Sequence, residues 1–395
     1  MRRITSVLSI LMVSGAATAA TDPQSIAVGG AALIPTLSVQ HSHDDNIFSK
    51  PSDEQSSTVT SLAPRLEYYA EQNAENYLSV SYDGDFARYW DSRDDDYEDH
   101  TFGVEGAYSG SDMFRLSVDA STAQLHDDRG TGASEGVSAE TEASPDEYDQ
   151  DQAGVMIDIG REQGRFGASF SARTIGVEYT NNRDVTAFRD RDDMILDGKF
   201  YARVSGKTRI FAGYRVTDIE YDSRTSDGDT LDSDEATSFV GVEWEATART
   251  TGSIEIGRLD KDFDSPLVGK QDITVWDVGV EWQPRTYSTL SLTASKDAAE
   301  TNGTGAFIEQ QNTSISWNHD WSERLHSTVS MTLGDDEYPG SPRQDDREDF
   351  LIGLNYDWQR WANISLRFQA TERDSNDDTF DYDRLQVYLT LDLSL

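Results

Sequence analysis

Apolar and polar side chains that alternate over about ten residues, many times along one chain, leave very few folds open to it. Phe114, Leu116, Val118 and Ala120 share one face, and Arg115, Ser117 and Asp119 share the other. This follows because successive side chains on a strand point to opposite sides. The same division separates Ile364, Leu366, Phe368 and Ala370 from Asn363, Ser365, Arg367 and Gln369, and Val240, Val242 and Trp244 from Gly241, Glu243 and Glu245. About eighteen such segments are expected, an even number as bacterial single-chain barrels have, with sixteen as the alternative. They begin near Leu33, Thr58, Tyr77, Thr101, Phe114, Asp151, Phe166, Ile195, Arg209, Thr237, Ser253, Thr274, Thr289, Asn312, Ser327, Phe350, Asn363 and Arg384. The pattern predicts an all-β fold, a transmembrane antiparallel up-and-down β-barrel with the apolar set toward lipid and the polar set toward the lumen.

The connections alternate in kind. Short ones such as Asn73 to Asn76, Ser109 to Met113 and Pro284 to Ser288 are separated by long acidic ones such as Asp127 to Glu147, Asp222 to Glu235 and Gly334 to Arg347. In an outer-membrane barrel the short turns are expected in the periplasm and the long loops outside, which puts both termini in the periplasm. Asp127 to Glu147 is expected to fold inward only as a partial constriction. Trp244, Trp282, Trp321, Trp358 and Trp361 recur where strands run into short turns. Indole rings settle at the headgroup level, so these residues are expected to form an aromatic girdle. The last strand sets Leu385, Val387, Leu389, Leu391, Leu393 and Leu395 against Gln386, Tyr388, Thr390, Asp392 and Ser394. Leu389, Leu391, Leu393 and Leu395 resemble the terminal signal read by the outer-membrane assembly machinery, with Leu395 where an aromatic residue is usual. This strand should pair with the first, near Leu33, because lipid cannot satisfy a free strand edge.

Compartment follows from the first residues. Arg2 and Arg3 precede an apolar run and Ala17-Thr18-Ala19, the form of a cleaved signal peptide. Residues 1–19 are therefore expected as signal peptide, 20–32 as a short periplasmic segment and 33–395 as the outer-membrane barrel. The chain has no cysteine, so neither disulfides nor thiol chemistry enter. A net charge of −40 with 36% hydrophobic residues would lean toward disorder in a soluble protein. In a barrel only alternate strand residues need be apolar. The acidity also argues against nucleic acid as a partner.

No catalytic set emerges, and no enzyme, cofactor or metal site is expected. His41-Ser42-His43-Asp44-Asp45 offers ligand types that zinc takes, yet reads as a polar strand end entering a loop. Asp222 to Asp229 and Asp374 to Asp378 lack the spacing of a calcium loop and read as solvated. The inward face is more informative. Arg115, Asp119, Arg173, Lys199, Arg203, Arg215, Glu243, Glu281, Arg367 and Arg384 are expected to line the lumen, either selecting solute or pairing across strands to stiffen the wall.

His43-Asp44-Asp45-Asn46-Ile47-Phe48, the approach to Leu62-Ala63-Pro64-Arg65-Leu66, and the Gly-Val-Glu-Trp stretches at Gly241 and Gly279 together resemble the second putative outer-membrane β-barrel porin family. Its members are similar to the VpsM-type barrels of exopolysaccharide loci. The resemblance spans Leu33 to Leu395 and implies a channel assisting export of an exopolysaccharide or capsular polysaccharide, beside periplasmic polysaccharide-export proteins. Outer-membrane lipid and lipopolysaccharide are the remaining expected partners. The residues by themselves leave open a general or cation-preferring porin, or a surface protein that binds through its loops.

Overall fold

The structure is a computed structural model and describes residues 25–136, 139, 142–161, 163–224, 229–247 and 249–394. The expected signal peptide and Leu395 lie outside the described residues. The strands are β1 Ile26–Val28, β2 Ala31–Asp44, β3 Ser57–Asn73, β4 Asn76–Tyr89, β5 Tyr97–Ser111, β6 Phe114–Asp127, β7 Asp146–Ile159, β8 Phe166–Tyr179, β9 Arg191–Ser205 and β10 Thr208–Tyr221. They continue with β11 Ser233–Thr247, β12 Thr250–Phe263, β13 Lys270–Arg285, β14 Ser288–Glu300, β15 Phe307–Asp320, β16 Leu325–Glu337, β17 Gln344–Gln359, β18 Ala362–Ser375 and β19 Tyr382–Ser394. Each strand from β2 onward pairs antiparallel with the next, and β19 returns to β2, closing a barrel of 18 strands. Every expected segment is one of these strands.

Closure differs in one detail from the expectation. The last strand meets the first from Gln386 opposite Asp44 to Ser394 opposite Thr36, beyond Leu33. The edge of β2 from Ala31 to Leu33 is instead taken by β1, with Ile26 opposite Leu33. The upstream segment therefore extends the wall's ladder where β19 stops, protecting an edge that would otherwise be free.

The strands of the barrel, β2 to β19, run 13 to 17 residues, longer than the ~10 that a bilayer needs. The excess explains a change of polarity along each strand. On β10 the outward Ile210 and Tyr214 are exposed to lipid, whereas further up the outward residues are Asp218 and Glu220 and the inward ones are buried Ile219 and Tyr221. On β17 outward Phe350, Ile352, Leu354, Tyr356 and Trp358 form the lipid band, and Asp346 and Glu348 stand above it. Above the membrane the outside is water and the inside is packed, so alternation persists with its sense reversed.

That packed interior lies in the long-loop half. One cluster joins Ile219, Tyr221, Leu231, Leu259, Phe263, Ile273, Ala306 and Phe307; others centre on Ile47, Phe48, Ala87 and Tyr89, and on Ile175, Val177 and Tyr179. Two inward glycines make room for rings lower in the wall. A Cβ on Gly213 would overlap the ring of Phe239, and one on Gly241 would overlap that of Phe211. Each pair is directly opposed across β10 and β11, so glycine lets the neighbouring ring lie flat over the backbone.

Candidate channel and its closed mouth

Strand alternation places all ten residues expected in the lumen on the inward face, but in two environments. Below the packed half part of the interior is open to solvent: Arg65 and Asp83, an inward pair at 2.6 Å, are 45% and 36% exposed, and Glu105 and Glu281 are exposed, whereas Lys199, Arg215, Asp197 and Glu255 are 14 to 24% exposed. Asp119 is 41% exposed and accepts from Arg173 Nη2 at 3.0 Å. Glu243 pairs with Arg209, Arg215 Nε lies 3.3 Å from Asp197, and Lys199 Nζ lies 3.5 Å from Glu255 and 4.5 Å from the centre of the Phe211 ring. The Arg367 guanidinium stacks 4.3 Å over Tyr388, and Arg203 lies at the turn into β10, 3.5 Å from the Gly206 carbonyl. Arg115 stands opposite Asp158. Arg384 belongs to the other environment, donating through Nε at 2.9 Å to buried Asp44 near the mouth.

Closing the upper lumen falls to residues that strand phase alone assigns to the wrong side. Pairing of β13 with β14 extends only from Arg285 opposite Ser288 to Trp276 opposite Lys296. Above that point β13 continues to pair with β12 up to Lys270, and β14 with β15 up to Glu300 opposite Phe307. At its upper end β14 thus parts from β13 and leans inside the wall, while β15 keeps its ladder with β16 up to Glu309 opposite Glu337. Ala298, Glu300 and Phe307 follow the outward phase of their strands yet face the inner surface of β10–β13. Lys261, 0% exposed, donates to Glu300 at 2.8 Å and to Glu235 at 2.9 Å. Tyr221 donates to Glu300 at 2.5 Å, and the Phe263 and Phe307 rings stack at 5.9 Å. Sequence reasoning missed this constriction. Apolar Leu259, Phe263 and Ile273 on an inward phase were the available signal.

Across the mouth the long loops hold one another. Glu135, between β6 and β7, takes an ion pair from Arg343 Nη1 at 2.8 Å and hydrogen bonds from Arg373 Nη1 and the Asn302 amide, each at 3.0 Å. Arg343 is 3% exposed, pairs with Asp345 at 2.5 Å, and lies 3.6 Å over the Phe380 ring and 4.4 Å over Tyr338. Burial alone would lower the Arg343 pKa, but Asp345 and Glu135 outweigh it and hold the pKa above its usual value. Nearby, Arg129 Nε donates to Asp95 at 2.5 Å and its guanidinium lies 4.4 Å over Phe48. Arg189 donates to Asp127 at 2.8 Å. The Asp127 to Glu147 loop, expected as a partial constriction, is one part of a cap to which several loops contribute.

The remaining candidates separate. Alternation turns His41 and His43 outward and Asp44 inward, so that segment cannot converge on one ion. Asp377 caps the Thr379 amide at 3.1 Å, an ordinary loop role. Trp282, Trp321, Trp358 and Trp361 are exposed at the short-turn end, and Trp244, also outward in phase, lies over Gly252. At the opposite rim, exposed Trp90 donates to Thr60 at 3.2 Å and lies edge-on to His41. On β19, Leu389, Leu391 and Leu393 follow the outward phase.

The sequence model of the family described as "Putative beta-barrel porin 2" matches residues 19–395. No curated protein sequence matches the chain. Among solved structures, Pseudomonas aeruginosa OccK2 (OpdF) in complex with glucuronate aligns with 92% of this chain and 98% of its own, at 11% identity and a TM-score of 0.51. Pseudomonas aeruginosa OpdK with vanillate aligns with 92% and 99%, at 11% identity and a TM-score of 0.51. At such identities the likeness is one of fold.

Proposed function

The chain belongs to the family described as "Putative beta-barrel porin 2", and on that premise we propose that this outer-membrane channel carries an exopolysaccharide or capsular polysaccharide outward, with its short turns and both termini in the periplasm. The carrying observation is the asymmetry of the lumen. Its short-turn half holds exposed polar groups, among them Arg65, Asp83, Glu105 and Glu281, while its long-loop half is filled by the tucked hairpin and the loop cap. A passage accessible from the periplasm and stoppered outside suits a substrate delivered from within, because a resting stopper limits entry of outside solutes. Periplasmic export proteins would dock on the short-turn rim, and outer-membrane lipid and lipopolysaccharide would surround the wall.

Deleting the gene and quantifying extracellular polysaccharide tests this reading. A marked loss restored by the wild-type gene is expected; unchanged secretion would refute it. The second reading, a porin for small hydrophilic solutes, is favoured by the exposed inward pair Arg65–Asp83 and the exposed inward Glu105 and Glu281. It predicts steady conductance of the wild-type protein in planar bilayers without any export partner.

A further inference from the structure

We propose that the upper β14–β15 hairpin is a gate that swings between its tucked position and a zipped position in the wall; this rests on the channel reading above. Four observations converge on it. The β13–β14 ladder stops at Trp276 and Lys296 although both strands continue as strands, so six residues of β13, Lys270 to Val275, and four of β14, Asp297 to Glu300, are left parted. Continuing the register, one step up β13 for each step up β14, brings Thr274 opposite Ala298 and Asp272 opposite Glu300. Neither Lys270 to Val275 nor Asp297 to Glu300 contains proline or glycine, so both can complete a ladder. The parted edges stand above the lipid band, with Lys270, Asp272 and Thr274 outward, so water can satisfy them while the hairpin is tucked.

The tucked state is held by identifiable contacts. Glu300 is the latch, bound by Lys261 and Tyr221. Zipping would move Glu300 to the outer face beside Asp272, a like-charge opposition that disfavours the swing at rest. The hairpin tip also reaches the cap: Ala306 N donates to the Pro339 carbonyl at 2.8 Å, and Asn302 donates to Glu135. An outward swing would therefore clear the lumen and pull one donor from the cap in the same motion, giving one element with two discrete packings.

The absence of native cysteine permits a direct test on the full-length protein. Thr274→Cys with Ala298→Cys places thiols that oppose each other only in the zipped wall, and Trp276→Cys with Lys296→Cys is the control pair already opposed. Mild oxidation should cross-link the test pair, about tenfold faster when Glu300→Ala is added, and should lock channels in a higher conductance that reduction reverses. No cross-link while the control pair forms one would overturn the swing. A cross-link that leaves the conductance of a conducting barrel unchanged would overturn its role as gate. If wild type and every variant are electrically silent, the channel reading fails instead, and the cross-linking rate alone judges the motion.

Discussion

Glu135→Ala should convert the mouth from closed to frequently open. The carboxylate ties together donors from two other connections and one strand: Arg343 between β16 and β17, Asn302 at the hairpin tip, and Arg373 at the top of β18. Removing it leaves Arg343 with Asp345, and leaves Arg373 with the Phe380 carbonyl, to which its Nε donates at 2.8 Å. Loss of one partner from a buried ion pair costs about 3 to 5 kcal/mol when nothing else compensates. Retained partners and water entry reduce this, so about 2 to 3 kcal/mol against the closed cap is expected, the scale of one or two charged hydrogen bonds. At about 1.4 kcal/mol per tenfold, the open-to-closed ratio rises roughly 30- to 150-fold. Single-channel recording in planar bilayers reads this as open time, and limited proteolysis reads it as new cleavage within the loops. Glu135→Gln, which keeps an acceptor but no charge, should fall between. Open time and proteolysis both identical to wild type would refute the view that Glu135 holds the cap.

Two further outcomes follow from the wall and its lining. Leu391→Lys on the lipid face, one outward step from the Leu354–Leu366–Leu389 row at the centre of the band, should impair assembly by about 1 to 3 kcal/mol, read by the heat-dependent gel shift of folded barrels, whereas inward Thr390→Lys should assemble nearly as wild type; equal effects would overturn the assigned faces. In a salt gradient, channels opened by Glu135→Ala should show only weak cation preference, and a reversal potential near that of an ideally cation-selective pore would contradict the paired lining described above.

The strand faces were legible because a period of two is imposed by the backbone and lipid demands an apolar set at every turn of it. Strand ends were less so. The β17 segment expected to begin near Phe350 begins at Gln344, because Asp346 and Glu348 face water above the lipid band and look like loop. The cap was illegible for another reason: Glu135 meets Arg343 and Arg373 only after closure, and no local pattern couples positions so distant in the chain. Nor does any local rule show that Glu300 and Phe307 keep an outward phase while their hairpin lies inside. Strand phase reports a side of the sheet, and only the whole fold says which side is the lumen.

The same distinction changes what the acidity means. A charge of −40, taken as a sum, suggests a passage that concentrates cations and repels polyanions. Its placement says otherwise. Asp192, Asp218, Glu220, Asp262, Asp272, Asp346, Glu348, Glu372, Asp374 and Asp383 are exposed and follow the outward phase above the lipid band, as a collar outside the barrel. Inside, Asp83, Asp119, Asp197, Glu243 and Glu255 each have a cationic neighbour in Arg65, Arg173, Arg215, Arg209 and Lys199. Fields beyond about 8 Å are largely screened at physiological salt, so the collar acts on what surrounds the barrel more than on the lumen. Inward Glu105 and Glu281 are exposed and form no ion pair among the described residues, so the lining keeps a negative excess far smaller than the total charge implies.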